Sequence, residues 1–351
     1  MAESAKKVFV CGAGHQGMSM AAHLALSGLE VNLWNRTKAN IQEIIDTGII
    51  HCSGIVSGDA KITKVSDEFS ELVADFIMVA APSGAHRDIA KRLAPFVTPD
   101  MVVILNPGRT FGAVEFAEEL KRNGITELPQ IAETQTIVYT CRRSDNNSAT
   151  IFALKNDVKI AAIKGSDINY ILDRMPDCLK PYFNPVDSVA LTSFDNIGMV
   201  LHCAPVFMNI GWIESDKADF KYYYDGISPS VAHFIEKVDE ERRLVANAAG
   251  YEIESVQHWL ERTYPVTGNN LFECLQNNEA YHEIDAPQTI HTRYVFEDIP
   301  NGLVPIETVG KELGVYTPCI TAIINLAQEV TDVDYREVGR RFTMEQLRKY
   351  F

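Results

Sequence analysis

A short apolar run, KVFVC at 7–11, passes directly into Gly12-Ala13-Gly14-His15-Gln16-Gly17 and then into a helical pattern over 15–27 that Gly28 closes. This G-x-G-x-x-G, set between a predicted strand and a predicted helix, limits the fold more than any other feature of the chain. Gly12 permits the tight turn, Gly14 lets backbone approach a bound anion, and Gly17 lets helix and strand pack closely. The first helical turn adds unbonded N–H groups that face the anion. A second strand at 31–34 completes a βαβ unit of about 30 residues, the setting in which such a loop holds a dinucleotide pyrophosphate. A glycine-rich turn with no ligand is the alternative.

The alternation continues. Strands are predicted at 62–65, 76–80, 101–105 and 131–133, separated by helices at 85–96 and 112–123. Strand, helix, strand repeated in this way requires right-handed crossovers and gives a parallel sheet covered on both faces. Beyond 138 the pattern suggests a hairpin, with strands at 149–154 and 158–163 meeting at Asn156-Asp157. After Asn184-Pro185 helical periodicity takes over, at 188–214, 229–249, 254–262, 268–277, 303–313, 318–330 and 335–350. The expected architecture is an α/β, Rossmann-type doubly wound parallel sheet in a dinucleotide-binding domain, 1–187. An all-α substrate and catalytic domain, 188–351, follows, with the active site expected where the two meet.

Composition narrows the partners. A net charge of −15 repels phosphate backbones and acidic membrane surfaces, which argues against nucleic acid. The apolar run 196–213 contains Asn196, His202, Pro205 and Asn209, too polar for a confident membrane span. Seven cysteines without a CxxC pair and a start, MAESAKK, without an apolar core suggest the cytoplasm. Helical second domains often associate, so a homodimer is compatible.

At the end of the second strand an NAD binder usually places Asp or Glu on the ribose 2′-hydroxyl. Here Asn35-Arg36-Thr37 stands instead, and a guanidinium suits a 2′-phosphate, so NADP(H) is favoured over NAD(H), unless Arg36 is only a solvated loop residue. Two further loops end strands at the same expected edge and are candidates for cofactor contact: Ala81-Pro82-Ser83, and Asn106-Pro107-Gly108 at the head of NPGRTFG. Ordinary turn chemistry explains both loops equally well.

His202 is the one group that titrates near neutral pH in the run NIGMVLHCAPVFMN, 196–209. It is either a core histidine satisfied by backbone or, with a carboxylate to orient it, a general acid–base group. The stretch from His291 to Leu303 offers a carboxylate: Arg293 and Asp298 flank an apolar, strand-like run that ends in Pro-Asn-Gly before a helix. An N-cap for Asp298 and a structural ion pair for Arg293 are the competing roles.

Five segments together resemble the opine dehydrogenase family (octopine, nopaline and N-(carboxyethyl)amino-acid dehydrogenases) over nearly the whole chain: GAGHQG at 12–17, NPGRTFGA at 106–113, ETQTIVYTCR at 133–142, the LHCAP run, and RYVFEDIPNGLVP at 293–305. The resemblance implies NAD(P)H-dependent, reversible condensation of a 2-oxo acid such as pyruvate with the amino group of an amino acid. It implies that His202 and Asp298 form the catalytic pair, that Arg293 lies in the substrate site, and that Glu133 lies near the amino-acid substrate. Cys203-Ala204 departs from a proline common after the histidine, and Asn35-Arg36 departs from the acidic residue of NAD-using members. A ketopantoate or glycerol-phosphate type reductase shares the glycine loop but usually relies on a lysine, and a non-catalytic NADP(H) sensor needs the fold without the pair.

Overall fold

The computed structural model describes residues 4–216 and 219–351. Twelve strands form in chain order: β1 Lys7–Cys11, β2 Glu30–Trp34, β3 Ile49–Gly54, β4 Gly58–Lys61, β5 Lys64–Ser66, β6 Phe76–Val79, β7 Val102–Leu105, β8 Gln130–Thr134, β9 Tyr139–Asp145, β10 Ser148–Leu154, β11 Val158–Ala162 and β12 Phe183–Pro185. Eight of them make the main sheet, in the order β12-β11-β8-β7-β6-β1-β2-β5. Every neighbouring pair is parallel except β11 with β8. Strands β1, β6 and β7 are almost continuously apolar and buried, as a sheet covered on both faces requires. Because β2 lies on one side of β1 and β6 on the other, the order of the strands reverses between β1 and β6, where ligands of such sheets bind.

The remaining strands form a second sheet, β4-β3-β10-β9, which packs on the helix His15–Leu26. It corrects two expectations. The predicted hairpin does not form, because β10 has both edges taken, by β3 in parallel and β9 antiparallel, while β11 joins the main sheet. Asp157 adopts φ 58° at the turn between them. The run 62–65 is likewise not one strand: residues 62 and 63 link β4 of one sheet to β5 of the other, and only 64 and 65 lie in β5.

By compactness the chain divides into Met1–Ser193 with Tyr350–Phe351, and Phe194–Lys349. The last two residues join the first unit: Lys164 N donates to the Tyr350 carbonyl (2.7 Å), Lys121 Nζ donates to the Tyr350 hydroxyl (2.6 Å), and that hydroxyl donates to Glu118.

The second unit is helical, with Pro229–Ala249 at its centre, packed by Ile197–Met208, Val304–Leu313 and Pro318–Thr331. Ser228 caps the central helix and Gly250, at φ 98°, ends it. The expected helix 188–214 is three: Val189–Phe194, Ile197–Met208 and Ile210–Ile213. Its first break has a cause. The Phe194 carbonyl (3.0 Å) and the Asp195 carboxylate (3.1 Å) turn onto the buried Arg242 guanidinium, which Asp239 also grips at 2.6 Å. The predicted helix 335–350 is two short ones, Tyr335–Val338 and Met344–Leu347. Between them the chain crosses the Pro300 carbonyl, which accepts from Arg340 N (2.9 Å).

Candidate active site

In the first unit, four loops follow the parallel strands β1, β2, β6 and β7 and therefore open at one sheet edge: 12–17, 35–37, 81–83 and 106–108. Gly12 has φ 110°, and a Cβ there would sit 2.8 Å from the Ala80 carbonyl oxygen. A Cβ on Gly17 would collide with the Gly12 carbonyl, while one on Gly14 would meet nothing, so the space over Gly14 is open. Asn35 is the tie between loops: its Oδ1 accepts from Ala13 N (3.2 Å) and its Nδ2 donates to the Thr37 carbonyl (2.9 Å). Arg36 and Thr37 are exposed. Two polar atoms at this edge, Gln16 Nε2 and Asn106 Oδ1, are buried without a hydrogen-bond partner among the described residues. Glycines shaped for close approach and buried polar atoms awaiting a partner fit a dinucleotide.

Glu133 is the next-to-last residue of β8 and is fully buried. Its carboxylate accepts from Ala113 N (2.8 Å), Thr192 Oγ1 (2.8 Å) and Ser193 Oγ (2.5 Å), and a Cβ on Gly108 would strike it. It thus fastens the 106–113 loop to the helix Val189–Phe194.

In the second unit, His202 Nδ1 lies 2.7 Å from Asp298 Oδ2. The carboxylate has no accessible surface, whereas the imidazole keeps 12% of its side-chain surface exposed, so the ring stands between the buried acid and solvent. An ionised carboxylate only accepts, so opposite it Nδ1 carries the shared proton and Nε2 is the ring nitrogen turned away from the acid. Asp298 makes no cap bond to the helical turn that follows it, which removes the N-cap role.

Local structure explains the meeting. The strand-like run after Arg293 is instead the helical turn Arg293–Phe296, capped by Thr292, and it leads into a π-helical turn, Ile299–Leu303, in which Leu303 N donates to the Asp298 carbonyl (3.1 Å). Pro300 and the wide turn prevent the alternating geometry of a strand. A Cβ on Gly302 would stand 2.7 Å from Met199 Cβ, so the glycine lets this turn lie close on the helix that carries His202.

The Tyr294 ring stacks on the imidazole, with centroids 4.1 Å apart and planes inclined by 23°. The Tyr222 hydroxyl donates to the His202 carbonyl at 2.6 Å, and burial pushes that phenol's pKa well above its ordinary value, so the donor stays protonated. Pro205 lies inside the same helix and cannot donate to the Leu201 carbonyl, so this bond supports a weakened turn. Arg293 is exposed, its guanidinium 5.7 Å from the Tyr294 ring centre, and no carboxylate pairs with it among the described residues.

Each unit therefore assembles its own set: cofactor candidates on one sheet edge, and His202, Asp298 and Arg293 around Tyr294. Two contributors were not anticipated. Tyr294 stood in plain view beside Arg293; Tyr222 carried no local signal.

A doubly wound dinucleotide-binding sheet joined to a helical domain with a histidine–aspartate pair defines a nicotinamide-dependent oxidoreductase. Residues 7–129 match the NAD binding domain of 6-phosphogluconate dehydrogenase, and residues 185–331 match the NAD/NADP octopine/nopaline dehydrogenase alpha-helical domain. The chain is 35% identical over 345 residues to an opine dehydrogenase of Arthrobacter sp. (strain 1C), covering 97% of this chain and 95% of the relative. It belongs to the opine dehydrogenase family. Octopine dehydrogenase in complex with NADH and agmatine shares the fold at a TM-score of 0.80 and 18% identity, covering 97% of this chain and 95% of that one. NADP+-bound yersinopine dehydrogenase does so at 0.79 and 14%, covering 98% and 95%. The protein is an NAD(P)-dependent dehydrogenase acting on CH–NH bonds, which joins a 2-oxo acid to an amino acid and sets aside the non-catalytic sensor.

Proposed function

We propose that the cofactor is NADP(H), held by the loops at 12–17, 35–37, 81–83 and 106–108, and that His202, Asp298 and Arg293 act on the substrates. The observation that carries the chemistry is the 2.7 Å contact between His202 and a carboxylate sealed from water.

A bound nicotinamide supplies the hydride that reduces the imine carbon. The chain's own residues manage protons and position. As an amine adds to a 2-oxo acid, the former keto oxygen must leave as water, and it leaves only when protonated. His202 delivers that proton from Nε2 and recovers it in the reverse direction. Asp298 fixes the tautomer and stabilises the charge that the ring carries, the role a carboxylate plays in a hydrolase triad. Arg293 takes the oxo-acid carboxylate in a bidentate grip and orients the reacting carbon. We assign Glu133 to positioning of the 106–113 loop rather than to direct substrate contact, because three donors already occupy its carboxylate. A reducing, cytoplasmic setting agrees with seven cysteines that are all thiols.

The deciding assay follows oxidation of NADPH and of NADH against a panel of 2-oxo acids, each with and without a panel of amino acids, and identifies products by mass. A secondary amine formed fastest with NADPH is the expected result. Equal oxidation without any amino acid would make the chain a simple ketone reductase, and a clear preference for NADH would remove the assignment of Arg36. Arg293→Met should chiefly raise the oxo-acid KM; unchanged kinetics would take it out of the site.

A further inference from the structure

We infer that β9 of the second sheet delivers Arg143 as a second guanidinium for the 2′-phosphate of the cofactor, beside Arg36; the inference rests on the NADP(H) reading above. Arg143 lies against the glycine loop, far from it in sequence. Its backbone N donates to His15 Nδ1 at 2.7 Å, which lays β9 on the start of the helix His15–Leu26. Its Nη1 donates to the Ala13 carbonyl at 3.2 Å, inside the glycine loop. Its Nη2 donates to the Asn40 carbonyl at 2.8 Å, in the segment that follows Asn35-Arg36-Thr37. The guanidinium therefore bridges the loop that takes a pyrophosphate and the segment that takes the ribose 2′-substituent of a dinucleotide.

The charge has no counter-ion in contact. Its other acceptors are the Asp145 carbonyl (2.9 Å) and the carbonyl (3.4 Å) and Oδ1 (2.8 Å) of Asn146, all neutral. Among the described residues no carboxylate closes an ion pair with Arg143, although the chain carries 47 acidic residues against 32 basic ones. Partial burial lowers the pKa of the guanidinium, and the Asp145 carboxylate offsets this only from a distance. A partly desolvated cation caged by neutral acceptors is stabilised by an incoming anion; Nε and both Nη2 hydrogens are already committed, so a phosphate meets the charge through the remaining Nη1 N–H. The rival role is a pin that holds the loop whatever ligand is bound. The two differ in one respect: a pin serves ligands with and without a 2′-phosphate alike.

Calorimetric titration of the full chain with 2′,5′-ADP and with 5′-AMP separates them. Arg143→Gln should weaken 2′,5′-ADP about tenfold or more, the loss of one charge-assisted contact, and change 5′-AMP less than about twofold. Arg143→Lys should recover part of the difference. Equal weakening of both ligands would make Arg143 a pin and overturn the inference, as would no change in either. If wild type fails to distinguish the two nucleotides, the NADP(H) reading falls together with the inference. If Arg36→Gln abolishes the distinction and Arg143→Gln leaves it intact, only the inference falls.

Discussion

The two units build their sites from different materials. The first uses backbone: glycines at 12 and 17 whose missing Cβ atoms make room, strand ends that share an edge, and loops tied by Asn35. The second uses side chains, with His202 and Asp298 brought together from positions 96 residues apart. A backbone site is a property of one short segment, so a local change damages it locally. A side-chain site depends on how several helices pack, so it can be damaged from a distance.

That contrast can be broken by experiment. The largest effect is expected at the pair itself: His202→Ala should cut kcat by roughly 100- to 10,000-fold while NADPH affinity stays near wild type. Equal loss of both in stopped-flow and binding measurements would make His202 a structural residue. Next comes Arg242, remote from the reaction. Arg242→Met leaves Asp195 and Asp239 buried without their cation, a cost of about 3–5 kcal/mol in urea unfolding. A variant as stable as wild type would mean that this cluster does not hold the helix carrying His202 in place.

Gly17→Ala is the matching test in the first unit. The added methyl meets the Gly12 carbonyl, so NADPH affinity measured by fluorescence titration should fall roughly tenfold with little loss of stability in the helical unit. Glu307 gives a pH test of helical packing. Burial alone would raise its carboxyl, but hydrogen bonds from Arg336, Lys311 and Thr321 hold it at about 2, below the ordinary 4.5. The stabilisation is complete above the unfolded value and is lost as pH falls from 4.5 toward 2. Glu307→Gln should therefore lose about 1–2 kcal/mol near neutral pH and show a flatter acid limb in thermal melts. The smallest effect concerns Tyr294. Stacking is worth about 0.5–1.5 kcal/mol, so Tyr294→Leu should lower kcat roughly three- to tenfold and shift the pH–rate profile, while Tyr294→Phe keeps both. If Phe and Leu behave alike, the ring is mere filler.

The same contrast decides what could be read in advance. The glycine loop, the strand–helix alternation and the helical second half follow from periodicity and turn residues close together in sequence. His202 announced itself as the one group titrating near neutral pH in an apolar run, and Asp298 by its place five residues after Arg293, but their meeting was implied only by family resemblance. The second sheet was invisible because β3 and β10, which pair directly, are separated in sequence by four of the main sheet's eight strands. Arg143 stayed hidden for the same reason: nothing in RRSD says which loop the guanidinium will reach. Tyr222 looked like any buried aromatic, since only packing aims its hydroxyl at the His202 carbonyl. The run after Arg293 misled because apolar spacing over so few residues does not distinguish a strand from a turn of helix.

Gly302 carries a consequence of its own. The close approach of the Asp298 segment to the helix carrying His202 depends on a lone hydrogen opposite Met199 as well as on the pair itself. Enlarging that position to alanine would push the acidic segment outward by a fraction of an ångström and loosen the imidazole's anchor, with every reacting group chemically intact. The expected result is a rate tuned at a residue that touches no reactant.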